Sequence, residues 1–181
     1  MVGRDKSIFW NSKYDILEII MKSLVIYYSF EGNTRFIAET IAAQLQADLL
    51  ELIPKKDLTS KGLTKFIWGG RQVVRRIKPD LQPLTKDPAA YDLLVIGTPV
   101  WAFTFAPALR SFFAQVPIKN KKIALFCTHQ GIMARTLENM EKALTGNQII
   151  AKTHFLSPVE KDKETIISQA KAWARTIFQG K

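Results

Sequence analysis

Apolar positions change their period repeatedly along this chain. Leu24-Val25-Ile26-Tyr27-Tyr28 is an unbroken β-branched and aromatic run, closed by a cluster of Ser, Gly, Asn and Thr. Beyond the cluster, Ile37, Ile41 and Leu45 recur at helical spacing with Ala38 and Ala42 beside them. The switch from a continuous run to a period of about 3.6 predicts a buried strand at 24–28 and a helix at 34–46. The alternation then repeats. Strands are expected at 49–53, closed by Pro54, at 93–97 behind Asp92, at 123–127 and at 148–155. A helix is expected over 65–77, weakened by Gly69-Gly70. It ends before Pro79, whose ring pushes the preceding residue away from helical dihedrals. Another begins near Pro107, a favoured first helical position, with Leu109, Phe112, Phe113 and Val116 on one face. A further helix carries Met133, Leu137, Met140 and Leu144, and the last covers 162–178 with Ile166, Ala170, Trp173 and Ile177 inward.

Short apolar strands alternating with amphipathic helices predict an α/β fold of three layers, with a five-stranded parallel sheet and helices on both faces. Right-handed crossovers leave few topologies, and the strand order 2-1-3-4-5 fits best. Residues 1–20 precede a natural start at Met21-Lys22-Ser23 and read as an N-terminal extension, although Ile8, Phe9, Trp10 and Ile16 would suit a short packed helix. Residues 21–181 read as one domain, with no internal repeat or low-complexity tract.

In such a sheet, ligands bind outside the carboxyl ends of the strands, at the switch point between strands 1 and 3. Three loops reach that rim. The first, Ser29-Phe30-Glu31-Gly32-Asn33-Thr34, joins a strand to a helix N-terminus. Backbone N–H groups there lack intrahelical partners, and the helix dipole favours an anion. Ser29 and Thr34 add hydroxyl donors, Asn33 an amide donor, and Gly32 permits a positive φ. An ordinary turn with a capped helix would use the same residue types. The loop lacks the lysine and spacing of a P-loop and the later glycines of a dinucleotide fingerprint. The second loop runs Gly97-Thr98-Pro99-Val100-Trp101-Ala102-Phe103, and the third Thr128-His129-Gln130-Gly131.

Composition narrows the partners. The 181 residues are 47% hydrophobic and 23% charged, ordinary values for a soluble domain. The net charge of +10 is the anomaly. It concentrates in 55–78, where Lys55, Lys56, Lys61, Lys65, Arg71, Arg75, Arg76 and Lys78 face only Asp57. A solvated basic face is the commonest reading of such a run; as a functional one it suits an acidic partner, the phosphates of a nicotinamide cofactor or a peripheral membrane surface. Aromatic interleaving is thin and no nucleic-acid motif is present, which argues against nucleic acid. One cysteine excludes an intrachain disulfide and fits a reducing compartment. With two separated histidines, it also argues against a metal site. No apolar run is long enough to span a bilayer. Asn11, Lys13, Asp15 and Glu18 break the N-terminal stretch where a signal peptide needs its apolar core. The expected location is cytoplasmic, and the oligomeric state, monomer or dimer, stays open.

Taken together, Ser29 to Thr34, then Gly97-Thr98-Pro99-Val100-Trp101, then Phe126-Cys127-Thr128 resemble the flavodoxin family, especially its small FMN-binding members. The resemblance covers nearly everything from Met21 onward. It implies FMN as cofactor, with Ser29, Phe30, Glu31, Gly32, Asn33 and Thr34 around its phosphate. It places the flavin ring against Pro99, Val100, Trp101, Ala102 and Phe103, where the aromatic faces of Trp101 and Phe103 are suited to offset stacking. Backbone groups around Thr98 to Ala102 and at Thr128, His129 and Gly131 are expected to meet its polar edge. The implied activity is an oxidoreductase passing electrons from NAD(P)H or a reductase to a quinone or similar acceptor. The alternatives are a non-catalytic electron carrier between redox partner proteins, and a flavin-free interaction module using the basic face.

Departures from the family bear on these expectations. Glu31 stands where many flavodoxins carry Thr, and its carboxylate would repel a phosphate, so its backbone N–H is expected to face the ligand. Carrier flavodoxins are acidic, unlike this chain. Strand 5 has no insertion of about twenty residues, as in the short form of the family. No residue is assigned a catalytic role. Cys127 is expected to be a small buried side chain, Phe105 core, Trp68 and Trp173 packing residues and His154 structural. His129 is either at the flavin edge or a solvated loop residue.

Overall fold

Every residue of the strand β1 (Ser23–Tyr27) is buried, which accounts for its unbroken apolar run. The computed structural model describes residues 21–56, 78–160 and 162–178. The extension 1–20, the expected helix 65–77 with Gly69-Gly70 and Trp68, and most of the basic segment 55–78 lie outside the described residues.

Parallel to β1 run β2 (Asp48–Glu51) on one side and β3 (Leu93–Trp101) on the other, with Leu24 opposite Asp48 and Ser23 opposite Leu93. β5 (Lys122–His129) pairs with β3, and β6 (Gln148–Leu156) with β5, both parallel. The order is therefore β2-β1-β3-β5-β6, and β4 (Thr104–Phe105) pairs antiparallel with the end of β3. Setting that two-residue strand aside, the expected order 2-1-3-4-5 is present.

Helices α1 (Asn33–Leu45) and α4 (Lys163–Phe178) cover one face of the sheet, and α2 (Pro107–Gln115) and α3 (Thr136–Ala143) the other. Alternate residues of each strand feed the two cores. Val25, Val95, Ala124 and Phe126 pack under Ile37, Ile41, Ile166 and Ala170. Leu24, Ile26, Leu94 and Ile96 pack over Leu109, Phe112, Leu137 and Met140. Phe105 and Cys127 join this second core, as expected.

Several boundaries differ from expectation. Met133 lies ahead of α3, and its carbonyl accepts the Thr136 hydroxyl at 2.8 Å. In α4, Ala174 takes the buried position, while Trp173 is half-buried with its ring 6.4 Å from that of Phe126. The larger correction is β3. Expected to stop at 97, it continues to Trp101, and Pro99 lies opposite Thr128. The Gly97 carbonyl faces β1, accepting the Tyr28 N–H at 3.3 Å. Pro99, two residues on, turns its nitrogen to the same side, beyond the end of β1. No ladder bond is lost there, so a proline is tolerated.

Candidate functional site

The carboxyl ends of β1, β3 and β5 open onto a cavity of about 430 Å³, within the range of roughly 300–1,000 Å³ usual for cofactor pockets. From the first loop, Ser29, Phe30, Glu31, Asn33 and Thr34 line it; from the second, Pro99, Val100, Trp101, Ala102 and Phe103; from the third, Thr128, His129 and Gly131. The fold thus brings three segments distant in sequence to one rim. Gln130, within the third loop, also lines the cavity, and so does Ile132, which lies outside the three loops expected from the sequence. Ile132 lies just past the third loop, next to Met133, and is 71% exposed.

Gly32 and Thr98 do not line the cavity; they shape it. Gly32 is the N-cap of α1 at φ 88°, the left-handed region where glycine carries no steric penalty. A Cβ there would meet no atom within 4 Å. Thr98, expected at the ligand's edge, is fully buried instead. Its hydroxyl donates to the Pro99 carbonyl at 2.9 Å and accepts the Ala106 N–H at 3.0 Å, so it fastens the base of the β3–β4 hairpin.

The first loop is not a side-chain-capped turn. Helix α1 has no side-chain cap, because its N-cap residue, Gly32, carries no side chain. The Asn33 Oδ1 accepts the Val159 N–H at 3.1 Å. The hydroxyls of Thr34 and Thr128, both buried, are 2.8 Å apart. The Ser29 Oγ is buried with no hydrogen-bond partner among the described residues. A buried polar atom of this kind costs about 1–3 kcal/mol unless something satisfies it. An uncapped helix start, a glycine with open space before it and an unsatisfied serine hydroxyl together suit an anionic oxygen ligand.

Arg35, in the first turn of α1, is committed to β2: its Nη2 donates to both carboxylate oxygens of Glu51, at 2.7 and 2.8 Å. That hydrogen bond raises the Arg35 guanidinium above its ordinary value, and burial together with Glu51 raises the Tyr27 phenol.

The opposite wall is aromatic. Trp101 meets Tyr28 edge-to-face at 5.7 Å and Phe30 at 5.8 Å, so its ring is fixed on two sides. Ala102 and Phe103 form the two-residue turn of the hairpin, both with positive φ (43° and 67°). Such a pair matches the twist of a tight hairpin but is strained for residues with a Cβ. The turn holds the Phe103 ring at the cavity mouth, 66% exposed.

Around the third loop, burial, with Glu138 adding to it, pushes the Cys127 thiol up to about 12, so it stays protonated at neutral pH. His154, expected to be structural, is exposed, and its Nδ1 lies 3.0 Å from Nε2 of His129. Among the described residues, no group of three His, Cys, Asp or Glu side chains could hold a metal ion. Nor is any helix there long and apolar enough to cross a membrane.

Comparison with known proteins places this geometry. The family model described as Flavodoxin matches residues 22–168. A flavoprotein from Lactobacillus acidophilus NCFM, solved in complex with FMN, is similar at 25% identity and a TM-score of 0.66, over 77% of this chain and 97% of its own. A WrbA-like flavodoxin from Agrobacterium tumefaciens, 18% identical with a TM-score of 0.57, is matched over 89% of this chain and 99% of its own. Oxidised flavodoxin 2 from Bacillus cereus shares the fold at 18% identity and a TM-score of 0.56, over 87% of this chain and 97% of its own. No curated protein matches the chain in sequence.

Proposed function

Because this chain belongs to the flavodoxin family, we propose that its cavity holds one FMN and that the protein is a redox enzyme carrying electrons from NAD(P)H or a reductase to a quinone or similar acceptor. The observation that carries this reading is the buried, unsatisfied Ser29 hydroxyl beside the uncapped start of α1, in the same cavity as the Trp101–Phe103 hairpin. An anionic head and a flat ring are the two parts of one ligand that these walls fit.

In this reading, Ser29, the backbone of Phe30 to Asn33 and the Thr34 hydroxyl hold the phosphate, with the Glu31 carboxylate turned outward. Trp101 and Phe103 cover the ring and exclude water. Backbone groups at Val100, Ala102, Thr128, His129 and Gly131 meet its polar edge. When bound, FMN supplies reversible two-electron chemistry, and the protein supplies position and electrostatics. Phe103 and Ile132, exposed on the rim, form an apolar lip that suits a small apolar acceptor. The net charge of +10 supports a donor or partner that carries phosphates or carboxylates. A single buried cysteine fits a cytoplasmic protein.

The test is steady-state NAD(P)H oxidation by FMN-loaded protein with a quinone as acceptor. Turnover above that of an equal amount of free FMN is expected. No turnover until a reductase is added would mean a carrier, and none under either condition would remove the redox reading.

A further inference from the structure

His129 and His154 are the only histidines in the chain, and adjacent strands bring them together. Cys127 lies opposite His154 and His129 opposite Leu156, so the two imidazoles are diagonal neighbours on β5 and β6. Nε2 of His129 and Nδ1 of His154 are 3.0 Å apart, with ring centroids at 5.1 Å. His129 is half-buried and lines the cavity; His154 is exposed and does not. A hydrogen bond between two imidazoles contains one proton. Its donor can be either ring, but a second proton would put an N–H on both facing nitrogens and break the contact.

We infer that the two histidines form a proton-exchange pair that charges the cavity wall from solvent, with His154 the positioning residue. A proton from water binds Nε2 of His154, an exposed residue. The N–H bond at its Nδ1 breaks, and that proton forms a new N–H bond at Nε2 of His129. His154 ends neutral and His129 cationic beside the cavity, with one proton consumed. A ligand that gains negative charge there is stabilised by His129. This use rests on the reading of the cavity as a flavin site, with electrons arriving from a nicotinamide hydride donor or a reductase.

Charged groups of both signs stand on the elements around the pair. Lys152, two residues before His154, is offset by Glu141 of α3 at 2.8 Å. Glu138 of α3 lies close enough to act on Cys127. The Glu160 carboxylate accepts from Gln130, next to His129, at 3.1 Å. Glu31 lines the cavity, and Arg135 stands at the start of α3.

Two measurements test the pair separately from the flavin. In the apo protein, proton NMR follows both histidines without ambiguity. Coupled titration is expected, each ring responding to both steps, and His154→Asn should leave His129 a single step. Two independent single-step curves in the wild type would overturn the pair. In FMN-loaded protein, the ratio of reduced to oxidised FMN affinity should rise up to tenfold per pH unit of acidification across the first step. His129→Gln should flatten that rise. His154→Asn keeps a donor to Nε2 but relays no proton, so proton uptake after flash photoreduction should be at least tenfold slower. An unchanged uptake rate would overturn the relay. Protein that shows coupled titration but takes up no flavin would refute the flavin reading and this use of the pair, and would leave the pair itself established.

Discussion

Thr34 and Thr128 share a buried hydroxyl–hydroxyl hydrogen bond of 2.8 Å although 94 residues separate them in the chain. It joins the first turn of α1 to the end of β5, and so fixes two walls of the cavity to each other. Thr128→Val keeps the shape but leaves the Thr34 hydroxyl buried without this partner. A loss of about 1–3 kcal/mol in urea unfolding is expected. Combining it with Thr34→Val should cost less than the two single changes added together. Additive losses would show that the two hydroxyls do not act on each other.

Gly97 is set by the core rather than by the ligand. A Cβ there would stand 2.0 Å from the ring of Phe126, which is fully buried. Gly97→Ala is expected to destabilise by about 1–3 kcal/mol, the usual range for overpacking, and Phe126→Leu in the same chain should recover part of the loss. Wild-type stability for Gly97→Ala alone would contradict this packing.

The hairpin turn predicts a trade between stability and binding. Phe103→Gly removes a Cβ from a residue at φ 67° and is expected to stabilise the apo protein by about 1 kcal/mol. It also removes the ring at the cavity mouth, so FMN affinity should fall. Thermal unfolding of the apo form and a flavin titration measure the two effects, and tighter binding by the variant would refute the role given to Phe103.

Away from the cavity, the Tyr91 hydroxyl donates to Asp48 at 2.6 Å and Lys86 donates to the same carboxylate at 3.2 Å. These bonds, that of Tyr91 foremost, hold the Asp48 carboxyl below its ordinary 3.8, and the same contact pushes the Tyr91 hydroxyl up to about 12. A carboxyl lowered by folding adds stability above its ordinary value, and the contribution is lost as pH falls through the folded value. Tyr91→Phe should therefore unfold at lower urea than the wild type at pH 7, with the gap closing as the pH drops below 3.8. A gap that persists undiminished to about pH 2 would contradict the linkage.

Much of this was legible in the sequence. The run at 24–28 and the Ser/Gly/Asn/Thr cluster after it announced β1 and the loop into α1, because a fully buried strand and an exposed turn differ sharply in composition. From that start, the rule placing ligands at strand carboxyl ends led to Trp101, Phe103 and Thr128. The hairpin was hidden. Its turn, Ala102-Phe103, carries none of the Gly or Asn that normally mark positive φ, and Pro99 looked like a strand end. The contacts of His154 and Thr98 were hidden for another reason: both depend on strand register and long-range pairing, which local periodicity does not encode.

The central claim is that Ser29 and the uncapped start of α1 grip the phosphate of FMN. The most direct measurement is a fluorescence titration of apo protein with FMN and, in parallel, with riboflavin, which has the same ring and no phosphate. One FMN per chain is expected, bound at least a hundredfold more tightly than riboflavin. Equal affinity for the two, or no uptake of either, would contradict the account.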